Sequence, residues 1–128
     1  MGPRRLLALA LLAAALSGCV TYKTRSDGIT RLRIGETAAV GGPRVTPLRV
    51  VSDSRCPVGV QCVWAGELRI EVKVTTGAGA ANRELVLGKP EQAADGMLEL
   101  VEGLPIPRKD EKTYPEDYRF GFTFKGGL

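Results

Sequence analysis

Three kinds of side chain in this 128-residue sequence could carry out chemistry: cysteine thiols, carboxylates and basic groups. The sequence contains three cysteines, Cys19, Cys56 and Cys62, and it contains no histidine. Without histidine the chain lacks an imidazole general base, a Ser-His-Asp or Cys-His nucleophile and a histidine metal ligand. Any catalysis would depend on thiols or carboxylates alone, and we expect the protein not to be an enzyme.

The carboxylates that stand closest in the sequence form two pairs, Asp110-Glu111 and Glu116-Asp117. A glycosidase needs two carboxyl groups held across a cleft, and a domain of this size offers little room for one. Both pairs lie in polar, turn-like stretches, where ionised and solvated side chains are the expected state. We therefore predict no catalytic site, no metal site and no cofactor.

The N-terminus has the composition of an export signal. Arg4-Arg5 is followed by an uninterrupted run of Leu and Ala from residue 6 to residue 16. This run is much shorter than the roughly 20 residues of a transmembrane helix. A basic segment, a short apolar segment and small residues before a cleavage point are typical of a signal peptide. A buried N-terminal helix is the alternative, but the run has no polar face.

The sequence Leu16-Ser17-Gly18-Cys19 resembles the lipobox of bacterial lipoproteins. The resemblance implies that residues 1–18 are a lipoprotein signal peptide and that Cys19 becomes the lipidated N-terminus. Residues 19–28 would then be the lipidated cysteine and a polar tether. Because two or more acyl chains hold a protein stably on a membrane, Cys19 would be a permanent anchor. Val20 is compatible with sorting to the outer membrane, so we expect a lipid-anchored envelope protein that faces the periplasm.

The basic character of the chain depends partly on the signal. Loss of Arg4 and Arg5 leaves 16 Lys and Arg against 14 acidic residues, so the net charge falls from +4 to +2. The remaining basic residues are scattered among acidic ones, whereas a nucleic-acid-binding surface clusters them. We expect no nucleic-acid partner.

Cys56 and Cys62 remain once Cys19 is assigned to the lipid. In an exported protein a nearby pair of cysteines indicates a disulfide, and Pro57 and Gly59 supply the turn that closes so short a ring. A redox pair usually has two intervening residues at a helix N-terminus, and zinc needs about four ligands. These alternatives stay open, but the structural disulfide is favoured.

The same stretch resembles the signature of a group of small bacterial lipoproteins of unknown function. The shared pattern runs from Asp53 to Glu67 and includes the residues Asp53, Arg55, Cys56, Pro57, Cys62, Trp64 and Gly66. The resemblance implies a secreted β-rich domain and no particular activity. From the residues themselves we expect Asp53 and Arg55 to pair or to cap the loop. Trp64 shares the parity of Leu68, so we expect it to point inward over the sulfur atoms.

Alternation of apolar and polar residues dominates the rest of the chain. The clearest strand is predicted over residues 67–75, and further strands over 31–34, 45–51, 83–87, 97–101 and 117–125, with an extended segment at 104–107. Pro47 predicts a bend or bulge. Residues 77–81 are predicted to be a flexible turn and residues 90–96 a loop. The pattern favours an all-β domain over residues 29–128, a small antiparallel β-sandwich or barrel of about seven strands.

The last predicted strand carries Tyr118, Phe120, Phe122 and Phe124 on one parity. Such a row of rings suits either the core of the domain or a platform on which sugars or bases stack. A small domain with few other large side chains needs these rings in its core, and we favour that interpretation.

These observations favour a non-enzymatic binding or structural module held on the membrane by the lipid on Cys19, with an envelope protein as its partner. The alternative is an inhibitor of an extracytoplasmic hydrolase that acts through the disulfide-braced loop of residues 55–62, because a pre-organised loop binds at a lower entropic cost. Burial of this loop would remove the basis of the inhibitor hypothesis.

Overall fold

A computed structural model describes residues 27–126, which form eight β-strands and one turn of 3₁₀ helix. The strands are β1 (Thr30–Leu32), β2 (Ala38–Ala39), β3 (Arg44–Asp53), β4 (Leu68–Thr76), β5 (Gly79–Val86), β6 (Glu91–Ala93), β7 (Gly96–Leu104) and β8 (Arg119–Gly126). The 3₁₀ turn, Pro115–Asp117, precedes β8.

The strands form two antiparallel sheets of four strands each. One sheet has the order β1-β8-β7-β6 and the other β2-β3-β4-β5. Within residues 27–126 no strand pairing joins the two sheets, so the domain is a sandwich and not a closed barrel. The predicted all-β class and antiparallel sandwich are confirmed.

The core lies between β4 and β8. Leu68, Ile70 and Val72 of β4 are fully buried, while Arg69 and Glu71 between them are half-buried. On β8, Phe120 and Phe122 are fully buried. In a β-sandwich each sheet turns its apolar residues to one face, and the two apolar faces pack against each other. The aromatic residues therefore fill the core, as favoured from the sequence.

Strand β3 is irregular at the point that Pro47 predicts. The register of β3 against β4 shifts between Pro47 and Arg49, and again between Val50 and Ser52. Proline has no amide hydrogen for the ladder, which explains the first shift. The predicted bulge is confirmed.

Several predicted boundaries were wrong. The expected turn at residues 77–81 is shorter, because β5 already begins at Gly79 and pairs with Thr76. The expected loop at residues 90–96 contains β6, and Asp117 belongs to the 3₁₀ turn instead of the last strand. β2 and β6 raise the strand count to eight. For β2, β5 and β6, hydrogen bonds from a neighbouring strand outweigh the weak strand preference of Gly, Ala and polar residues.

Candidate functional site

The signature residues lie at one end of the sandwich, in the connection between β3 and β4 (residues 54–67), apart from Asp53, which is the last residue of β3. The two ends of this connection are joined by hydrogen bonds: the Ser54 amide donates to the Glu67 carbonyl at 2.9 Å, and the Glu67 amide donates to Ser54 Oγ at 3.0 Å. These bonds close a neck, above which the intervening residues form a compact loop. We call residues 54–67 the signature loop.

Gly66 makes the neck possible. It adopts a φ of +65°, and a Cβ atom added there would lie 1.9 Å from the Ser54 carbonyl oxygen. Only glycine combines this backbone angle with so close an approach of two chains. Its place in the signature therefore has a structural reason.

We expect Gly66→Ala to lower the free energy of unfolding by about 3 kcal/mol, because both strain and collision oppose the added methyl group. Gly77 is the matched control, since a Cβ at this turn position meets nothing within 4 Å. Urea unfolding of both alanine variants measures the difference. Equal midpoints for the two variants would contradict the role assigned to Gly66.

The disulfide between Cys56 and Cys62 braces the loop. The two Cα atoms lie 5.9 Å apart, a usual separation for bridged cysteines. The predicted pairing is confirmed. The ring holds Pro57 and Gly59, and Gly59 has a φ of +90°.

Removing the bridge with the double substitution Cys56→Ser and Cys62→Ser should cost about 2.4 kcal/mol, the chain-entropy value for a ring of this length. Thermal melting under non-reducing conditions tests this value. The wild-type protein in dithiothreitol serves as the control and should melt with the double variant. A melting temperature unchanged by either treatment would mean that the ring contributes nothing to stability.

A largely buried ion pair fixes the base of the loop. Arg55 donates from Nε to Asp53 Oδ1 and from Nη2 to Asp53 Oδ2, both at 2.8 Å. The Tyr118 hydroxyl donates to Asp53 Oδ2 at 3.0 Å. The two charged side chains are only 13% and 11% exposed. The expected pairing of Asp53 with Arg55 is confirmed.

Arg55 also joins the two connections at this end of the molecule. Its Nη1 donates to the Gly103 carbonyl at 2.6 Å, and its Nη2 to the Pro105 carbonyl at 3.1 Å. Gly103 and Pro105 lie where β7 gives way to the long connection to β8. One guanidinium thus ties the signature loop to that connection, using the fork of donors that only arginine offers.

The network shifts the ionisation of both acidic partners. Burial opposes the ionised form of Asp53, but the hydrogen bonds and charge of Arg55 outweigh it, so the pKa of Asp53 lies below its ordinary value. The pKa of Tyr118 is raised to about 12, mainly by burial and secondly by the hydrogen bond to Asp53. The carboxylate and the neutral phenol are therefore the stable forms over the physiological range.

A second tie lies further along the loop. The Val58 amide donates to the Pro107 carbonyl at 2.8 Å, and the Lys109 amide donates to the Val58 carbonyl at 3.0 Å. These bonds form a short parallel bridge between Val58 and Arg108. The loop is thus fixed at its neck, at its base and at its flank.

This fixed loop carries exposed apolar side chains. Val63 is 93% exposed, Trp64 65% and Val58 54%, and Ile106 on the neighbouring connection is 54% exposed. We call Val58, Val60, Val63, Trp64, Leu104 and Ile106 the apolar end. Single apolar residues scattered over a surface are normal, whereas contiguous exposed apolar patches are typical of interaction sites.

The inward position predicted for Trp64 was wrong. The prediction extended the alternation of β4 backwards through a segment that is not a strand. Residues 63 and 64 form a bend, so the parity of Leu68 does not apply to them. The indole instead faces solvent.

A shallow hollow of about 460 Å³ lies beside the loop. Its lining residues are Val58, Leu104, Pro105, Ile106, Arg108, Asp117 and Arg119. A second hollow of about 520 Å³ shares several of these and adds basic and acidic residues, among them Arg33, Glu111, Lys112 and Glu116. An apolar floor with charged groups of both signs at its rim is the usual composition of a protein-binding surface.

The candidate carboxylates do not form a buried pair. Asp110, Glu111, Glu116 and Asp117 are all exposed. Asp117 Oδ2 accepts a hydrogen bond from the Tyr114 amide and so serves the 3₁₀ turn. Among residues 27–126, no group of three or more Cys, Asp or Glu residues is arranged to hold a metal ion.

The predicted signal peptide, residues 1–18, and the predicted lipidation site, Cys19, lie outside the described residues. The predicted tether, residues 19–28, does too, apart from residues 27 and 28. In the described part of the chain no helix has the length and apolar character needed to cross a membrane.

Comparison with protein-family models, with curated proteins and with solved structures gives no match to this chain.

Sequence reasoning missed the second half of this site. Tyr118 was assigned only to the core, and residues 104–107 only to an extended exit from a strand. Gly103 and Pro105 contribute backbone carbonyls, and no side chain in the sequence identifies a carbonyl as a hydrogen-bond acceptor for Arg55. Ile106 between two prolines was the one available hint, because an apolar residue in such a segment has no strand neighbour to cover it.

Proposed function

We propose that this chain is a lipoprotein of the bacterial cell envelope, anchored through Cys19, that binds a partner protein with its apolar end. The exposure of Val63 and Trp64 on a loop that is fixed at three places carries the proposal. Tryptophan is one of the residues that supply most of the binding energy in many interfaces, and a rigid loop loses little entropy when it binds. The role is one of recognition and not of catalysis.

The anchor is supported by the lipobox resemblance at residues 16–19 and by the basic and apolar segments before it. Mass spectrometry of the protein extracted from membranes tests it. The expected mass is that of a chain beginning at an acylated Cys19. An intact signal peptide with an unmodified Cys19 would contradict the anchor and the outer-membrane location that follows from it.

Site-specific photo-crosslinking in intact cells tests the binding role. A photoreactive residue at Trp64 should give one defined adduct. The control position is Ala78, an exposed residue in the turn between β4 and β5, at the opposite end of the sandwich. Equal labelling from both positions, or none from either, would contradict a binding surface at the apolar end.

Inhibition of an extracytoplasmic hydrolase is a second candidate for the nature of this binding. The observation that favours it is the exposure of Val58 and Val60 inside the disulfide ring. If the crosslinked partner is a hydrolase, Val60→Asp should weaken inhibition at least tenfold, while Gly77→Ala should leave it unchanged. A crosslinked partner without hydrolase activity would contradict the inhibitor role but would agree with the general binding role.

A further inference from the structure

We propose that two copies of this chain pair along the free edge of β5, so that their two four-stranded sheets become one continuous sheet. The inference concerns a surface away from the apolar end and stands independently of it.

The edge of β5 differs from the other sheet edges of the described residues. β1 and β6 have three residues each and β2 has two, whereas β5 has eight and contains no proline. Its pairing with β4 shows no register shift, and residues 79–84 are all exposed. Proteins normally blunt an edge with short strands, bulges, proline or charged side chains, because a long regular edge pairs with another strand. Of these protections β5 has only the charges of Arg83 and Glu84.

The pattern of hydrogen bonds identifies which residues face outward. The Leu87 amide donates to the Leu68 carbonyl, which makes residues 68 and 87 a hydrogen-bonded pair. Because such pairs alternate along an antiparallel ladder, residues 79, 81, 83 and 85 bond to β4. The backbone groups of Ala80, Asn82 and Glu84 therefore point away from β4, toward the free edge.

A second copy fits this edge in an antiparallel, two-fold arrangement. Two-fold pairing centred on Asn82 places Asn82 opposite itself and Ala80 opposite Glu84, which gives three hydrogen-bonded pairs. The same register sets the small Ala81 opposite Arg83 of the other copy. Centring the pair on Arg83 instead would oppose two like charges, which is destabilising.

Arg83 does not block this approach. Arg83 pairs with the buried Val72 of β4, so its side chain is on the face of β5 that is turned toward the other sheet. Its guanidinium donates a hydrogen bond to the Gln92 carbonyl of β6, across the gap between the sheets. The side chain is thus directed toward the other sheet of its own molecule.

Thiol crosslinking in cells that express the full chain tests the pairing. Asn82→Cys places two thiols on residues whose Cα atoms are about 5.5 Å apart in the dimer. Lys73→Cys is the matched control, since Lys73 is the exposed neighbour of Asn82 on β4. In the dimer the two Lys73 positions are separated by three strand spacings, about 14 Å. The wild-type chain controls for reaction at Cys19.

A short bismaleimide should convert Asn82→Cys, and neither control, to a covalent dimer. Sedimentation of the cell-processed protein in detergent provides a second measurement. Asn82→Pro removes an outward amide that β4 does not use, so the fold should remain while the dimer fraction falls at least fivefold. Asn82→Thr should sediment as wild type. Crosslinking of Asn82→Cys to a different protein, equal crosslinking of Lys73→Cys, or a wild-type monomer would each overturn the proposal.

Discussion

Replacement of Arg55 by alanine should lower the free energy of unfolding by about 3 kcal/mol, because it leaves the Asp53 carboxylate, only 11% exposed, without its charged partner. The same change removes the donors to Gly103 and Pro105, so the two connections that carry the apolar end would lose their common tie. We therefore expect weaker crosslinking from Trp64 as well as lower stability. Urea unfolding, followed by crosslinking under conditions where the variant is folded, measures both effects.

Arg49→Ala is the matched control, since Arg49 forms an exposed pair with Glu71 at 3.4 Å. Exposed pairs contribute about 0–1 kcal/mol, so this variant should stay close to wild type. Tyr118→Phe removes a single hydrogen bond to Asp53 and should cost about 1 kcal/mol. If Arg55→Ala were no less stable than Arg49→Ala, the network would not hold the loop.

The network also predicts the pH dependence of stability. The pKa of Asp53 is lowered on folding, so its contribution is present above its ordinary pKa of 3.8 and is lost as the pH falls below that value. The pKa of Tyr118 is raised from 10.0 to about 12, so its contribution is present below pH 10 and is lost as the pH rises toward 12. Tyr118→Phe should abolish the loss of stability between pH 10 and 12 but keep the loss of stability at acid pH. Chemical unfolding at a series of pH values measures both.

Phe122→Ala should be strongly destabilising, with an expected cost of about 3–5 kcal/mol. Phe122 is fully buried and belongs to the hydrophobic core, so removal of its ring leaves a cavity there. A loss of this size is a large part of the 5–15 kcal/mol that stabilises a typical domain. Calorimetry or urea unfolding should show a partly unfolded population at growth temperature.

Phe124→Ala provides the comparison, because Phe124 is only partly buried at the border of the core. Its replacement should cost about 1–2 kcal/mol. The two variants also separate the core from the stacking-platform interpretation of this strand. A Phe122→Ala protein that folds normally but loses affinity for a sugar or a base would contradict the core assignment.

The local patterns predicted most of the fold. Alternation in β4 and the shared parity of Phe120 and Phe122 identify buried faces, because a strand turns successive side chains to opposite sides. Pro47 predicted the register shift in β3 because proline has no amide hydrogen to donate to the neighbouring strand. Strands β2 and β6 escaped prediction because their few residues have no pattern of their own and depend on the neighbours that pair with them.

What the sequence by itself indicated correctly is the all-β class, the disulfide between Cys56 and Cys62 and the place of Phe120 and Phe122 in the core. Each depends on residues that are close in the chain or on a strict alternation. Pairing of Asp53 with Arg55 was one of the two roles that the sequence left open for these residues. Only the tertiary structure decided that Trp64 faces solvent, that Tyr118 completes the Asp53 site and that Arg55 reaches the carbonyls of residues 103 and 105. Those contacts join β3, β7 and β8, whose proximity comes from the packing of two sheets and leaves no signal in any single segment.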